Sequence, residues 1–325
     1  MLFAAKFEEL RRFEKRKGKK QRSDFTMADK LNSLEHCMKF VDEYVPAWFE
    51  TGKRDPLFIF ISGPQGSGKS YVGKRIYEHL KDYYKDQKSV AYASMDDFYL
   101  THEAQQKLNK EYPNNKLLQG RGLPGTHDMA LLYKCINAIL QRHGNDNDSI
   151  DGDHLQDSSK LVLPKYDKSA FNGEGDRSTV TVSEKIPVDI FILEGWFLGF
   201  EPILQNFESE ETVKGDMVDV NSKLFIYSDL LWDNPEIKSL GIVFAADQLE
   251  NVYDWRLQQE KELIAKTGNG MNDEELKKFV DRYMPCYDLY YNHLIHTESL
   301  GSVATLTLGL DKERKVFSFK TRYIE

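Results

Sequence analysis

The chain has 325 residues, of which 40% are hydrophobic and 30% are charged. This length allows one large α/β domain, because a sheet covered on both faces can grow to about 250 residues around one core. The formal net charge of −8 argues against a general nucleic-acid-binding protein, which needs a basic face to neutralise phosphates. No apolar run approaches the ~18 residues that cross a bilayer, so we expect no membrane partner.

The cysteines and the N-terminal charges bear on location. Cys37, Cys135 and Cys286 are far apart and odd in number, which disfavours a disulfide framework and a zinc cluster. We therefore expect a reducing compartment and a cytoplasmic protein, with the nucleus also open. Residues 1–26 carry nine basic and four acidic residues. A transit peptide would be poor in acids, so we interpret this segment as a disordered extension rather than an organelle signal.

The first elements follow from apolar spacing in residues 27–325, which we interpret as a single domain. Leu34, Met38 and Val41 have helical spacing and predict an amphipathic helix. The apolar run PLFIFIS predicts a strand that is buried on both faces. The next segments predict a helix in YVGKRIYEHLKDYYK, a strand in KSVAYASM, and a helix in MALLYKCINAILQR that begins after Asp128.

A polar, aspartate-rich insertion near residues 144–160 interrupts this pattern. It lacks the glycine and glutamate positions of an EF-hand loop, so we expect a surface loop without calcium. Three more strands are predicted in VDIFILEG, KLFIYSD and LGIVFAAD, and a helix in LENVYDWRLQQEKELIAK. Asn272 and Glu275 form a capping-box pattern before another helix, and ATLTLGLDKERKVFSF predicts two strands around a charged turn. Strands that alternate with helices predict a mainly parallel sheet covered by helices on both faces.

The glycine-rich segment between the first strand and its helix matches the pattern G-x-x-x-x-G-K-[ST] in full. Its glycines allow backbone N–H groups to point at a phosphate, and the following helix offers its positive N-terminal end. We therefore expect ATP phosphates at this loop, a mobile charge from Lys69, and magnesium at Ser70. The motif consists of Gly63, Pro64, Gln65, Gly66, Ser67, Gly68, Lys69 and Ser70.

Two acidic positions favour a kinase over other P-loop proteins. The sequence has no N-K-x-D segment of the kind that reads guanine in GTPases. The buried strand VDIFILE ends in Glu194, where a carboxylate would meet the magnesium shell. The segment SMDDFY follows the second strand, so Asp96 would emerge beside the triphosphate and could accept the proton of an attacking hydroxyl. A direct role for Asp97 is left open.

With GPQGSGKS, SMDDFY and ILEGW in this order, the chain resembles P-loop small-molecule kinases of the uridine kinase, pantothenate kinase and phosphoribulokinase group. Members of that group have an Asp-x-Phe after the second strand, and its Asp, the base, matches Asp96. The blocks KLLQGRGLPGTHD, LPKYDKSAFNGEGDR, ILEGWFLGF and VYDWRLQQE look like plant-type D-glycerate 3-kinases and related fungal ATP-dependent kinases. The resemblance runs from about residue 30 to the C-terminus. It implies a kinase fold with lid and substrate-loop insertions, MgATP, and a small hydroxylated acceptor.

The same blocks contain the acceptor-site candidates. Arg121 could clamp a carboxylate, and His127 could reach a substrate or instead cap the helix that follows together with Asp128. Lys165, Tyr166 and Arg177 lie in one segment that suits a substrate loop, although a solvated charge run is the alternative.

A further candidate lies on the helix after the fifth predicted strand. Arg256 occupies the place where related kinases carry a lid arginine that closes on the phosphates, which would make it part of the catalytic machinery. Its alternative is a helix salt bridge to Glu260.

Several aromatic residues are assigned to packing rather than to the site. They comprise Trp196, Phe197 and Phe200 and the tyrosines of RYMPCYDLYYNHL. Whether the aromatic residues after Glu194 also contact substrate is left open, as is the oligomeric state.

D-Glycerate is the first candidate acceptor, with a uridine- or pantothenate-like acceptor as the alternative. The alternative to an enzyme is an ATP-binding regulatory protein without strong kinase activity.

Overall fold

A computed structural model describes residues 31–141, 160–204, 213–268 and 270–323. The predicted extension 1–26 and nearly all of the polar insertion near 144–160 lie outside the described residues. Within the described ranges, no helix is both long enough and apolar enough to span a lipid bilayer.

The centre of the molecule is a six-stranded sheet with strand order β10-β9-β8-β1-β7-β2. Strand β10 is antiparallel to β9, and the neighbouring pairs from β9 to β2 are all parallel. This arrangement confirms the predicted, mainly parallel sheet. Its strands are β1 Leu57–Ser62, β2 Val90–Ser94, β7 Ile190–Gly195, β8 Lys238–Ala246, β9 Ala304–Leu310 and β10 Val316–Tyr323.

Seven longer helices accompany the sheet in the part of the chain that the structure describes. They are α1 Ser33–Glu50, α2 Lys69–Tyr84, α3 His102–Glu111, α4 Met129–Leu140, α5 Met217–Leu230, α6 Asn251–Thr267 and α7 Asp273–Asp281. The predicted N-caps are confirmed, since Asp128 accepts from the backbone N–H of Leu131 and Asn272 forms a capping box with Glu275. A final helical segment contains Met284–Cys286, a π-helical turn Tyr287–Tyr291 and Asn292–Thr297.

Helices cover both faces of the sheet, as predicted. Every residue of β1 is buried, and alternate residues belong to different cores. Phe58 and Phe60 pack in a core with residues of α4, α5 and the final helical segment. Leu57, Ile59 and Ile61 pack on the opposite face with residues of α1 and α2. A strand that is buried on both sides needs a continuous apolar run, which explains the sequence PLFIFIS.

The predicted strand KLFIYSD is wrong, because these residues lie within α5. Val220, Leu224 and Tyr227 are buried, whereas Ile226 is 53% exposed. This is the burial pattern of a helix that presents one face to the core. A short apolar run fits a strand or a helix equally well when its flanking residues are left out.

Among the described residues, two small antiparallel ladders lie outside the central sheet. One joins β3 Lys160–Leu163 to β6 Val182–Lys185. The other joins β4 Tyr166–Asp167 to β5 Asp176–Arg177 and makes a hairpin of residues 166–177. The segment predicted as a substrate loop is therefore a hairpin, and its position matters for the site described below.

Candidate active site

The glycine-rich loop connects β1 to α2 at the carboxyl edge of the parallel strands, the edge where ligands collect in open α/β sheets. Gly66 has a φ of +82°, and a Cβ atom there would lie 2.5 Å from the Cβ atom of Trp255. Gly68 caps the N-terminus of α2 with a φ of +98°. Both positions require glycine, one for space and conformation and the other for conformation alone. The loop can therefore direct its backbone N–H groups towards a phosphate.

Residues distant in sequence hold this loop in place. The backbone N–H of Gln65 donates to the hydroxyl of Tyr287 at 3.2 Å. The Nε atom of Arg314 donates to the carbonyl of Gly66 at 2.6 Å. The sequence pattern predicted a packing role for Tyr287 and indicated no role for Arg314. Neither contact has a local sequence signal, because the partners are more than 200 residues apart.

Lys69, Ser70 and Glu194 meet at the end of the loop. The Ser70 hydroxyl donates to Oε1 of Glu194 at 2.9 Å, and Glu194 is buried. Burial lowers the pKa of Lys69, while the negative charges of Glu194 and Asp96 act in the opposite direction. The strand register places Glu194 next to Ser94, so the carboxylate at the end of β7 lies beside the turn that carries Asp96.

The donor set at Ser70 and Glu194 fits magnesium. A hydroxyl and a carboxylate supply hard oxygen atoms, and Mg²⁺ in kinases uses one or two protein groups together with phosphates and waters. No group of three or more His, Cys, Asp or Glu residues suited to a metal occurs among the residues that the structure describes. A shared magnesium–nucleotide site does not need one.

Asp96 lies in a 3₁₀ turn, Met95–Phe98, directly after β2. Its Oδ1 atom accepts from the Tyr99 hydroxyl at 2.8 Å, and its Oδ2 atom accepts from Nζ of Lys168 at 2.5 Å. Burial by itself would raise the pKa of Asp96, but the Lys168 ammonium and the Tyr99 hydroxyl hold that pKa well below its usual range. The carboxylate is therefore ionised at neutral pH.

Asp97 has different contacts from its neighbour. It accepts from the backbone N–H of Ser94 at 3.2 Å and pairs with Nζ of Lys165 at 2.6 Å. Neither Asp97 nor Lys165 lines the central cavity, whereas Asp96 does. The adjacent aspartates thus separate into one that faces the cavity and one that ties the turn to the segment before the hairpin.

A single cavity of about 1610 Å³ contains the phosphate loop, Asp96 and Glu194. Pockets for single drug-sized ligands span about 300–1,000 Å³. This cavity therefore has room for a nucleotide together with a small acceptor. The cationic side chains in its lining are Lys69, Arg121, Lys168, Arg256 and Arg282.

Among the acceptor candidates, Arg121 lines this cavity, whereas Lys165, Tyr166, Arg177 and His127 do not. Arg177 pairs with Asp128 at 2.9 Å and donates to the carbonyl of Tyr99. The Tyr166 ring meets the Tyr99 ring edge-on, with centroids 5.3 Å apart. Direct acceptor contact by these three hairpin-segment residues stays a prediction. Their observed contacts hold the hairpin against the turn that carries Asp96.

His127 is buried and stacks on Tyr99 with ring centroids 4.5 Å apart. Its Nδ1 atom lies 2.9 Å from the Tyr227 hydroxyl. Burial lowers the pKa of His127 to about 3, so the ring is neutral. The helix cap that sequence analysis considered for this position is made by Asp128 instead. A substrate contact by His127 stays a prediction, because the ring does not reach the cavity lining.

The position of Arg256 is compatible with both of its predicted roles, a lid arginine and a partner of Glu260 in a helix salt bridge. It lines the cavity from α6, and its Nη2 atom lies 3.4 Å from Oε2 of Glu260. Glu260 also accepts from the backbone N–H of Met271 at 2.8 Å. The carboxylate thereby connects α6 to the segment before α7. Closure of Arg256 onto phosphates stays a prediction.

The cavity lining also contains two guanidinium groups outside the phosphate loop, those of Arg121 and Arg282. Arg121 donates to the carbonyls of Gly173 and Glu174 at the hairpin tip. Arg282 donates to the carbonyls of Gln119, Gly120 and Arg121. In the part of the chain that the structure describes, neither guanidinium has a carboxylate partner. The sequence around Arg282 indicated only a helix and did not predict a role for this residue in the site.

The aromatic residues after Glu194 pack as expected. Trp196, Phe197 and Phe200 are buried, and the Trp196 ring meets the rings of Tyr283 and Tyr287 at steep angles. Trp196 also lines the cavity. Burial raises the pKa of the Cys286 thiol beyond its usual range, which leaves it unsuited to act as a nucleophile.

These features define a P-loop kinase: a nucleotide-phosphate loop, an oxygen-ligand pair for a metal, and a carboxylate on the neighbouring strand end. The chain is 61% identical to the probable ATP-dependent kinase TDA10 of Saccharomyces cerevisiae over 92% of this chain and 100% of that protein. A solved D-glycerate 3-kinase from Cryptococcus neoformans has a TM-score of 0.74 and 31% identity, covering 89% of this chain and 99% of that one. The chloroplastic D-glycerate 3-kinase of Arabidopsis thaliana is 33% identical over 80% of this chain and 53% of that protein. No protein-family model matches the sequence.

The chain belongs to the family of P-loop kinases that includes TDA10 and D-glycerate 3-kinase. This membership confirms the predicted resemblance, the fold class and the assignment as a kinase. The relatives do not test the individual site residues.

Proposed function

We propose that the protein transfers the γ-phosphate of ATP to a hydroxyl group of a small hydroxy acid, with D-glycerate as the acceptor. The family supports the kinase activity and the use of ATP. D-Glycerate is supported by the names of two relatives with 33% and 31% identity. A cytoplasmic location, supported by three free and buried cysteines, belongs to the same proposal.

The proposed reaction uses the residues around the cavity. The backbone of residues 63–70 holds the phosphates, and Lys69 offsets their charge. Ser70 and Glu194 would hold magnesium, which would offset the negative charge of the phosphates when bound. Asp96 orients the acceptor hydroxyl and takes its proton as the oxygen bonds to the γ-phosphorus and the bond to ADP breaks.

The observation that carries the choice of a hydroxy acid is the pair of guanidinium groups at Arg121 and Arg282. Both line the cavity, and neither has a carboxylate partner among the described residues. Both groups already donate to backbone carbonyls, so a carboxylate would be held by their uncompensated positive charge and by the N–H donors that remain, such as the Nε of Arg282, which is unpaired within the described ranges. The hydroxyl of Tyr283 lies among these charges. Its pKa is raised, chiefly by burial and also by the negative charge of Asp96. The positive charges of Arg282, Lys168 and Arg121 act on the same pKa in the opposite direction. An acceptor that spans this region would place a carboxylate near the arginines and a hydroxyl near Asp96.

A panel of acceptors with coupled ADP detection tests the proposal. The purified protein and MgATP are combined with D-glycerate, L-glycerate, glycerol, uridine or pantothenate. We expect D-glycerate to be phosphorylated and glycerol, which lacks the carboxylate, to be at least about 100-fold poorer in kcat/KM, because the arginines would lose a charge-assisted partner. Activity on uridine or pantothenate alone would overturn the assignment of the acceptor. Absence of transfer to every acceptor, with ATP bound, would favour a regulatory protein.

A further inference from the structure

The Lys168–Asp96 pair presents a chemical problem for a kinase. Both oxygen atoms of the proposed base already accept a hydrogen bond, one from Tyr99 and one from Lys168. Each carboxylate oxygen can accept a second hydrogen bond, but a carboxylate whose pKa is held low by a close ammonium takes a proton from a hydroxyl poorly. Asp96 therefore becomes a stronger base when its charged donor, Lys168, moves away.

The two donors differ in how firmly they are held. Tyr99 is buried, stacks on His127 at 4.5 Å and meets the ring of Tyr166 at 5.3 Å. The Lys168 side chain is 58% exposed, and its ammonium lies at the end of a flexible stem. Because the Lys168 side chain is largely exposed, its ammonium can stay in contact with water while it changes partners. Lys168 is the donor that can move.

Lys168 is also placed to meet the acceptor. It lies in the turn after β4, at the start of the hairpin tip, and it lines the cavity together with Arg121. Two contacts fasten the tip of the hairpin. His102 stacks on Phe171 with centroids 3.8 Å apart, and Arg121 donates to the carbonyls of Gly173 and Glu174. A firm backbone at the tip with a mobile ammonium allows the side chain to change partners without opening the hairpin.

We propose that Lys168 is an acceptor-binding residue that exchanges its partner: it occupies Asp96 while the acceptor site is empty and binds the carboxylate of the acceptor when the acceptor hydroxyl takes its place. This inference rests on the proposed function and identifies the acceptor as an anionic alcohol. A neutral acceptor would leave the displaced ammonium without a partner.

The exchange has a consequence for the reaction with water. In hydrolysis, a water oxygen bonds to the γ-phosphorus, the bond to ADP breaks, and the water proton moves to a base. While Lys168 is paired with Asp96, the carboxylate takes up that proton poorly, because the nearby ammonium stabilises its ionised form. Lys168 thus protects ATP until an acceptor arrives, which is a specificity function beyond binding.

The test is Lys168→Met, with Lys168→Arg to restore the charge. In Lys168→Met we expect ATP hydrolysis without acceptor to rise about tenfold, because a free base restores part of its usual 10²–10⁴-fold contribution. We also expect the KM for D-glycerate to rise about 10- to 100-fold, with the KM for ATP unchanged. Lys168→Arg should bring hydrolysis back towards the wild-type rate.

Lys88→Met is the matched control. Lys88 pairs with Asp189 at 3.3 Å, both side chains are 22% exposed, and neither residue lines the cavity. Loss of this half-buried ion pair should leave acceptor-free hydrolysis and both KM values unchanged. If Lys168→Met folds and shows no increase in hydrolysis, the inference is wrong. A higher KM for ATP with an unchanged KM for the acceptor would also overturn it, since Lys168 would then serve the nucleotide.

The two proposals fail in different ways. Hydrolysis without acceptor requires no knowledge of the acceptor, so it tests the masking of Asp96 even if D-glycerate proves inactive. Wild-type transfer to D-glycerate together with unchanged Lys168→Met kinetics would overturn the partner exchange and leave the proposed function intact.

Discussion

Replacing Asp96 with asparagine is the sharpest test of the proposed base. The substitution preserves the size of the side chain and one oxygen acceptor for Tyr99 or Lys168, but it removes the negative charge. General base catalysis contributes about 10²–10⁴-fold, which corresponds to about 2.7–5.4 kcal/mol of transition-state stabilisation. We therefore expect kcat to fall by about that factor.

The accompanying loss of stability should be small. The Lys168 side chain is 58% exposed and the Asp96 side chain 32%, so solvent screens their interaction, and we expect its loss to cost about 1–2 kcal/mol. In a protein of this size we expect a fall in Tm of no more than about 4 °C. A large kinetic effect with a small thermal effect would separate catalysis from folding.

The assay compares initial rates of ADP formation at saturating MgATP and acceptor, with nucleotide affinity measured by calorimetry. Asp97→Asn is the matched control, because Asp97 is the adjacent aspartate and contacts Ser94 and Lys165 outside the cavity lining. We expect Asp97→Asn to lower stability and to leave kcat within about threefold of the wild type. Normal turnover by Asp96→Asn, or an equal collapse in both variants, would refute the reasoning.

Two further predictions concern the metal and the pH dependence of stability. Glu194→Gln removes the buried carboxylate that accepts from Ser70, so the magnesium concentration for half-maximal activity should rise at least about tenfold; an unchanged magnesium titration would contradict this. The pKa of His127 is lowered by burial to about 3, so the unfolded chain binds more protons between about pH 3 and 6.5. Stability should then rise with pH in that window by up to about 1.4 kcal/mol per pH unit and level off above it. His127→Phe should lose this share of the slope in denaturant titrations, and an identical slope would show that the ring is charged in the folded protein.

The elements that sequence analysis predicted well are those with strong local signals. The run PLFIFIS and the eight-residue phosphate motif each combine composition with spacing, and both occupy the expected places. The caps at Asp128 and Asn272 were predictable because a cap acts within three residues of its helix. The strand predicted in KLFIYSD was wrong because a run this short does not distinguish the periodicity of a strand from that of a helix. The residues before it are needed to recognise the buried face of α5.

The acceptor side of the site could not be predicted at the same level. Sequence analysis named Lys165 in the hairpin segment, whereas the lysine that contacts Asp96 is Lys168, and nothing local separates them. Arg282 and Tyr287 reach the site through contacts across more than 150 residues. Such contacts depend on how helices pack against the sheet edge, and one sequence does not contain that information directly.

The most direct measurement is a crystal structure of the protein with magnesium, a non-hydrolysable ATP analogue and D-glycerate. The account predicts the γ-phosphate in the loop of residues 63–70, the acceptor carboxylate at Arg121, Arg282 and Lys168, and a hydroxyl within about 3 Å of Asp96. Glycerate bound with its hydroxyl groups distant from Asp96, or Lys168 still paired with Asp96 in the ternary complex, would contradict it.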